Sequence, residues 1–154
     1  MRALDETDLQ LLDLLQQDAK LTHKELADRL FLSTTPVFER IKRLEREGTI
    51  RGYVALVERT RLGLGLMAFC DVSLEAHQQS YLLHFEEGVR ALPEVIACYH
   101  IAGQFDYLLQ VVVPDMSAYQ RFITQKLAAL AHIGRVQSSF VMTEIKQEHR
   151  LPLL

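Results

Sequence analysis

Hydrophobic residues recur at helical spacing through the first fifty positions of the chain. In residues 5–17, Leu11 and Leu15 lie on one face, and acidic residues stand at the start, where they complement a helix dipole. Thr22, followed three positions later by Glu25, forms a capping-box pattern that begins a second helix. The pattern therefore predicts two short amphipathic helices in succession.

A third amphipathic helix follows at once. Ser33 is its predicted N-cap, and Gly48 is the residue expected to end it. Val37, Ile41 and Leu44 are spaced i, i+4 and i+7 and should face inward. Three short helices with tight connections predict a helix-turn-helix unit.

Beyond these helices the apolar pattern becomes typical of strands. Residues 50–57 are rich in apolar and β-branched residues and predict a short ribbon or wing leading into a strand, and the two glycines within 60–65 mark a linker. The remaining predicted elements are strands at 66–74, 95–102, 106–113 and 135–145 and helices at 79–92 and 119–130. Their β-α-β-β-α-β order is the ferredoxin-like pattern, in which two helices cover one face of an antiparallel sheet.

The second face of that sheet is expected to be apolar and uncovered. Soluble monomers rarely expose such a surface, so the pattern predicts that two sheets pair in a homodimer. The predicted fold class is α+β, with a winged helix-turn-helix unit at 1–52, a connecting strand and linker at 53–65, and a ferredoxin-like domain at 66–154.

The overall composition of the chain says little about its function. The chain has 154 residues, is 49% hydrophobic and 24% charged, and carries a net charge of -3, so its total charge gives no support to nucleic-acid binding. Cys70 and Cys98 are far apart and form no CxxC pair, which disfavours a metal framework or a disulfide scaffold. No signal peptide or membrane-spanning run is present, and we expect a cytoplasmic protein without cofactor.

The third helix nevertheless carries a local positive charge. Residues 40–51 hold five basic side chains against two acidic ones, and cations that contact phosphates release counterions. The N-terminal part of a recognition helix meets base edges, where Thr35 and Phe38 could contact a thymine methyl and Glu39 could accept from cytosine. The residues predicted to bind double-stranded DNA are Ser33, Thr34, Thr35, Phe38, Glu39, Arg40, Lys42, Arg43, Arg46 and Arg51.

These features together resemble the Lrp/AsnC (feast/famine, leucine-responsive) transcriptional regulators along nearly the whole chain. The resemblance implies a winged helix-turn-helix followed by a RAM (regulation of amino-acid metabolism) domain. It also implies dimers that pair through their sheets, assembly up to octamers, and an amino acid bound between dimers. The motifs that carry it are Leu4-Asp5 with Asp8, Glu25–Ala27, Leu32-Ser33 with Pro36-Val37, Arg40–Glu45, Gly48–Tyr53, Gly103–Tyr107, Pro114–Met116 and Glu144–Lys146.

The glycine-containing loop before the third strand is the candidate effector site. Its free N–H groups could hold an α-carboxylate, and the Asp106 carboxylate could hold an α-ammonium group. The alternative is a hairpin turn in which Asp106 only caps a backbone group. With the last strand of a neighbouring subunit, which the resemblance adds, the predicted effector-binding residues are Gly103, Gln104, Phe105, Asp106, Gln137, Ser138 and Ser139.

Two other functions compete with sequence-specific regulation. Cys98 and His100 share a strand face, but no further metal ligand is near them in sequence and no catalytic motif is present. Sirohaem decarboxylases resemble these regulators in architecture, and there His100 would act on the porphyrin carboxylates; the intact basic helix argues against that enzyme. We predict that the chain is not an enzyme. The remaining alternative is a non-specific architectural DNA-binding protein.

Overall fold

The structure is a computed structural model that describes residues 3–153. The chain divides into two compact units, one formed by residues up to Leu56 together with the segment from Lys146 onward, the other by Val57–Ile145. The boundaries predicted at 52/53 and 65/66 stay a prediction. The return of the C-terminal segment to the first unit was not expected, because it was assigned to the second domain.

Three helices build the first unit, and two of them begin with side-chain caps. Asp8 N–H donates to Asp5 (2.9 Å) and Asp5 N–H donates back to Asp8 (3.1 Å). The predicted box at Thr22 and Glu25 is confirmed, since each backbone N–H donates to the other side chain. The helices are α1 (Glu6–Gln17), α2 (His23–Leu30) and α3 (Thr34–Arg46).

The start of α3 lies where the sequence predicts it. Ser33 occupies the predicted N-cap position, although its side chain makes no capping hydrogen bond. The helix begins there nonetheless because its inner face is apolar: Val37 and Leu44 are fully buried and Ile41 is nearly so, as predicted. Burying each such side chain contributes roughly 1.5–3 kcal/mol. Gly48, in the left-handed region (φ 75°), follows the end of α3.

The turn between α2 and α3 is closed by a residue type that rarely occupies such a position. Phe31 has a left-handed backbone (φ 55°), and its ring is 94% exposed. The N–H of Leu32 donates to Ala27 (2.9 Å), which satisfies a carbonyl at the end of α2. The tight turn is therefore held by backbone hydrogen bonds, at a steric cost that glycine would not have.

The C-terminal segment packs along α1. The backbone of Leu151 both donates to and accepts from the side-chain amide of Gln16, at 2.7 and 3.1 Å. Arg150 donates to Asp13 (2.7 Å), and Leu153 packs against the apolar core of the unit. Residues distant in sequence thus complete the surface of α1.

The strand predicted within residues 50–57 was wrong. Residues 51–58 form neither helix nor strand, and the side chains of Val54 and Leu56 are 83% and 71% exposed. An apolar, β-branched segment forms a strand only when another strand pairs with its backbone, and the described part of this chain supplies none here. A 3-10 turn, Arg59–Leu62, follows.

The second unit has the predicted β-α-β-β-α-β order. Its four antiparallel strands are arranged β2-β3-β1-β4. The last strand ends at Phe140, so its predicted extension to residue 145 was wrong; the last helix begins at Met116, earlier than predicted, because Asp115 caps it. The elements are β1 (Leu66–Leu74), α4 (Gln79–Arg90), β2 (Val95–His100), β3 (Tyr107–Val113), α5 (Met116–Arg121, continued by a π turn and a 3-10 turn) and β4 (Ile133–Phe140).

The sheet has two different faces. One packs its alternate residues, such as Cys70 of β1 and Leu109 of β3, against Phe85 of α4 and Phe122 beyond α5. The opposite face, which we call the open face, was expected to be apolar, but it is mixed. Its paired rows from β1, β3 and β4 combine apolar with polar side chains: Met67 with Val112, Phe69 with Gln110 and Ser139, and Asp71 with Leu108 and Gln137.

Candidate nucleic-acid interface and ligand loop

The outward face of α3 is open to solvent along its whole length. Within the part of the chain that the structure describes, its basic residues Lys42 and Arg46, and Arg51 beyond the helix, form no ion pair. The predicted DNA-binding residues that are exposed are Ser33, Thr34, Thr35, Glu39, Lys42, Arg46 and Arg51. A rigid helix thus presents hydroxyl, carboxylate and cationic groups side by side.

Phe38 is held at the edge of this face. The His23 ring meets it edge-on with the centroids 5.3 Å apart, and the Lys42 ammonium lies 4.8 Å from its centroid. Both contacts are favourable for an aromatic ring. Sequence reasoning missed His23, although its place as the first residue of α2 after the Thr22 cap was a usable signal.

Arg40 and Arg43 lie on the flank of α3 that is next to the start of α1. Arg40 Nη1 lies 2.7 Å from Asp5 and 2.6 Å from Asp8, and Arg43 Nη2 lies 2.5 Å from Asp8. The Asp8 side chain is completely buried. The predicted DNA contacts of the two arginines stay a prediction, but the structure gives both guanidinium groups a partner inside the unit.

The two arginines are not equivalent in this cluster. Arg40 makes aligned hydrogen bonds to both carboxylates, whereas the buried Arg43 Nε and Nη2 have no aligned hydrogen-bond acceptor among the described residues. Arg43 therefore contacts Asp8 as a close ion pair without an aligned hydrogen bond. Hydrogen bonding from Arg40 lowers the pKa of Asp5, so this carboxylate stabilises the folded state above its ordinary pKa of 3.8 and loses that effect as the pH falls through the lowered value.

The ligand loop, residues 101–106, is a turn closed by backbone hydrogen bonds. Ile101 N–H donates to the carbonyl of Asp106 (2.8 Å), and Asp106 N–H donates to Val72 (2.9 Å). Gly103 takes a positive φ of 155°, and both it and Gln104 are exposed. The loop thus presents its glycine-containing backbone to solvent.

The Asp106 carboxylate already has two partners. It accepts from the backbone N–H of Leu74 (2.8 Å) and is bonded to His77 Nε2 (2.6 Å). Burial raises its pKa, but these bonds lower it further, and the net effect is a lowered pKa. The carboxylate is therefore ionised, caps the end of β1 and holds a side chain that a ligand cation would have to displace.

The structure separates the other predicted effector residues. Phe105 is buried, with the Arg135 guanidinium 5.4 Å from its ring centroid. Ser138 points toward the helices and accepts a hydrogen bond from Tyr119 (2.6 Å). Gln137 and Ser139, in contrast, are exposed on the open face, so the three β4 residues do not lie on one side of the sheet.

A cleft of about 430 Å³ lies between β2 and α4. His100, the residue considered for porphyrin chemistry, stacks on the Tyr107 ring at 4.7 Å, and the Tyr107 hydroxyl donates to Glu86 (3.0 Å). Cys98 also borders this cleft. No group of three or more potential metal ligands comes together among residues 3–153.

Comparison with known proteins places both units in described families. Residues 4–51 match a winged helix-turn-helix DNA-binding family, and residues 67–151 match the Lrp/AsnC ligand binding domain. The Bkd operon transcriptional regulator of Pseudomonas aeruginosa is 37% identical and covers 99% of this chain and 100% of its own. The DNA-binding transcriptional activator DecR of Escherichia coli is 39% identical and covers 97% and 99%.

A solved structure gives the same result. A transcriptional regulator of Neisseria meningitidis in complex with L-methionine is 40% identical, superposes with a TM-score of 0.92, and covers 98% of this chain and 97% of its own. These relatives are regulators of transcription, in agreement with the prediction that the chain is not an enzyme. No helix in the described residues is long and apolar enough to cross a membrane.

The burial of Asp8 leads to a stability prediction. Asp8→Asn leaves the Arg43 charge without its counter-ion, and breaking a buried ion pair costs roughly 3–5 kcal/mol, so we expect the free energy of unfolding to fall by about 3 kcal/mol. Urea denaturation followed by circular dichroism measures this. Glu6→Gln removes the same charge from an exposed position of α1 and should cost less than about 0.5 kcal/mol; equal losses would contradict the assignment.

Proposed function

This chain belongs to the Lrp/AsnC family of transcriptional regulators, and we propose that it recognises operator DNA with the outward face of α3 and responds to an amino acid at the ligand loop. The observation that carries the proposal is that Lys42 and Arg46 are exposed and have no ion-pair partner in the described part of the chain, on a helix whose flank is anchored by Asp8. A rigid basic helix face is what a major groove admits.

Within this face we assign different roles to its two ends. Thr35, Phe38 and Glu39 lie in the first turns of α3 and meet base edges, because the N-terminal part of a recognition helix enters the groove. Lys42, Arg46 and Arg51 bind phosphates, which position the protein without specifying sequence. The contact of Phe38 with His23 and Lys42 supports a fixed orientation of its ring toward a thymine methyl.

For the effector we propose an amino acid, with L-methionine as the first candidate because a 40% identical relative was solved with it. Asp106 binds the ammonium group after His77 moves aside, and the exposed backbone around Gly103 and Gln104 binds the carboxylate. Gln137 and Ser139 are supplied by a neighbouring subunit. Phe105 and Ser138 support the site from within the domain rather than by touching the ligand.

We further propose that the protein is a homodimer that assembles into higher oligomers. The support is the open face, where Phe69, Leu108 and Tyr99 remain only partly covered among polar neighbours. Paired copies also bring two α3 helices to one DNA molecule, which raises the effective affinity of each. We expect such a regulator to act in the cytoplasm.

A non-specific architectural role is the second candidate function. It would use the same phosphate-binding residues without base contacts, so selection of duplexes from a random pool distinguishes the two. Enrichment of a palindromic motif supports a sequence-specific dimer, whereas retention of the pool without enrichment supports the architectural role.

Removal of the proposed phosphate contacts should weaken binding to every sequence alike. For Lys42→Ala and Arg46→Ala we expect lower affinity and a log–log salt slope reduced in magnitude by about 0.9 for each lost phosphate contact. Fluorescence anisotropy with duplex DNA in a salt series measures both quantities. Arg90→Ala removes an exposed arginine of α4 and should change neither; an unchanged slope in the α3 variants would reject the proposed interface.

Amino-acid binding should raise the melting temperature of the protein. At one hundred times its Kd, L-methionine is expected to stabilise the folded state by about 2.7 kcal/mol, and Asp106→Asn should abolish this shift while keeping the bond from Leu74. His77→Ala is the matched control and should bind at least as tightly, because it removes the competitor of the ammonium group. No shift with any of the twenty amino acids would argue against an amino-acid effector.

The open face gives a test of assembly. Phe69→Asp places a charge at the centre of the proposed dimer interface and should lower the molecular mass measured by sedimentation equilibrium. Leu83→Asp, at an exposed position of α4, makes the same kind of change outside that face and should leave the mass unaltered. A wild-type monomer, or equal masses for wild type and Phe69→Asp, would exclude pairing through this face.

A further inference from the structure

The basic residues of α3 divide into two groups with different partners. Lys42 and Arg46, on the outward face, form no ion pair with any of residues 3–153, whereas Arg40 and Arg43 are held by carboxylates at the start of α1. In that cluster two positive charges meet two negative charges, from Asp5 and Asp8. Part of the positive charge that the sequence offers for DNA is thus neutralised within the protein.

The carboxylates of Asp5 and Asp8 differ in how far water reaches their ion pairs. The Asp8 side chain is fully buried, so its charge cannot be left without a counter-ion. The Asp5 side chain is 40% exposed, and its partner Arg40 is 26% exposed, so water reaches this pair. Exposed ion pairs are weak and exchange partners easily.

We propose that Asp5 is an internal competitor of DNA, whose carboxylate occupies the place of a backbone phosphate on Arg40 and is exchanged for that phosphate on binding. The proposal rests on the proposed orientation of α3 toward DNA. The N–H groups of a guanidinium donate to carboxylate and phosphate oxygens alike, so either anion satisfies Arg40.

The geometry supports such an exchange. Asp5 accepts from Arg40 Nη1 through both oxygens, at 2.8 and 2.7 Å, while Asp8 binds the same nitrogen at 2.6 Å. Release of Asp5 leaves Asp8 in place, so Arg40 keeps one anchor as it takes up a phosphate. Asp5 then acts as an affinity-setting residue: it weakens binding without contacting DNA.

Asp5→Asn tests the proposal because it changes the charge and little else. Asparagine is as good an N-cap as aspartate, so the hydrogen bond that Asp5 accepts from Asp8 N–H can persist. The probe is a 40-base-pair duplex of random sequence, since phosphate contacts are independent of sequence. We expect about two- to fivefold tighter binding at low salt, which is the change in affinity that corresponds to the energy of an exposed ion pair.

Two controls separate this exchange from a general loss of negative charge. Glu6→Gln removes the neighbouring charge, which has no ion-pair partner among residues 3–153, and should have a smaller effect. On an Arg40→Ala background, Asp5→Asn should no longer tighten binding. Equal effects of Glu6→Gln and Asp5→Asn, or an undiminished effect without Arg40, would overturn the proposal.

The remaining outcomes are equally informative. Unchanged or weaker binding by a folded Asp5→Asn variant would show that Asp5 does not compete with DNA. If that variant loses its helical circular dichroism, Asp5→Ser, which also caps a helix without charge, is measured instead against the same expectation. Failure of the wild-type protein to bind the duplex would reject the proposed function itself. Failure of the Asp5 proposal and failure of the proposed function therefore give different results.

Discussion

The first unit depends on the charge of a single buried side chain. Asp8 has no access to water, and a carboxylate in that position is tolerated only with compensating charge and hydrogen bonds. Arg40 and Arg43 provide that charge from α3, so the electrostatic requirement fixes the rotation of α3 about its own axis against α1. The outward direction of Lys42 and Arg46, and with it the proposed DNA-binding surface, follows from this constraint.

The carboxylate of Asp106 organises the ligand loop through two partners of different kinds. Asp106 satisfies the backbone N–H of Leu74, which is a structural task, and also holds the imidazole of His77, which is exposed. Both interpretations of this residue, the hairpin cap and the ammonium ligand, are therefore compatible, because each of its two oxygens can serve one of them. The first unit thus contains a carboxylate with fixed partners, that of Asp8, and the second contains a carboxylate with one replaceable partner, that of Asp106.

Patterns among residues close in sequence predicted most of the fold, whereas features that depend on contacts between distant residues were missed. The capping box at Thr22 and the boundaries of β1 depend on residues close in sequence, and both were predicted correctly. The failure at residues 50–57 depends on which strand pairs where. The opposite orientation of Ser138 relative to its neighbours follows instead from the alternation of side chains along β4, so grouping three consecutive residues in one site was an avoidable error. The engagement of Arg40 by Asp5 joins residues 35 positions apart, and no periodicity of α3 alone could reveal it.

The return of the C-terminal segment to α1 has a consequence for the order in which the protein is made. A nascent chain acquires the three helices first, then the whole of the ligand-binding unit, and only afterwards the residues around Arg150 and Leu151 that complete the surface of α1. The unit that carries the helix-turn-helix is therefore finished only after translation has passed through the ligand-binding unit. A chain interrupted within the ligand-binding unit lacks the contacts made by both residues, which couples completion of the DNA-binding unit to synthesis of the ligand-binding unit.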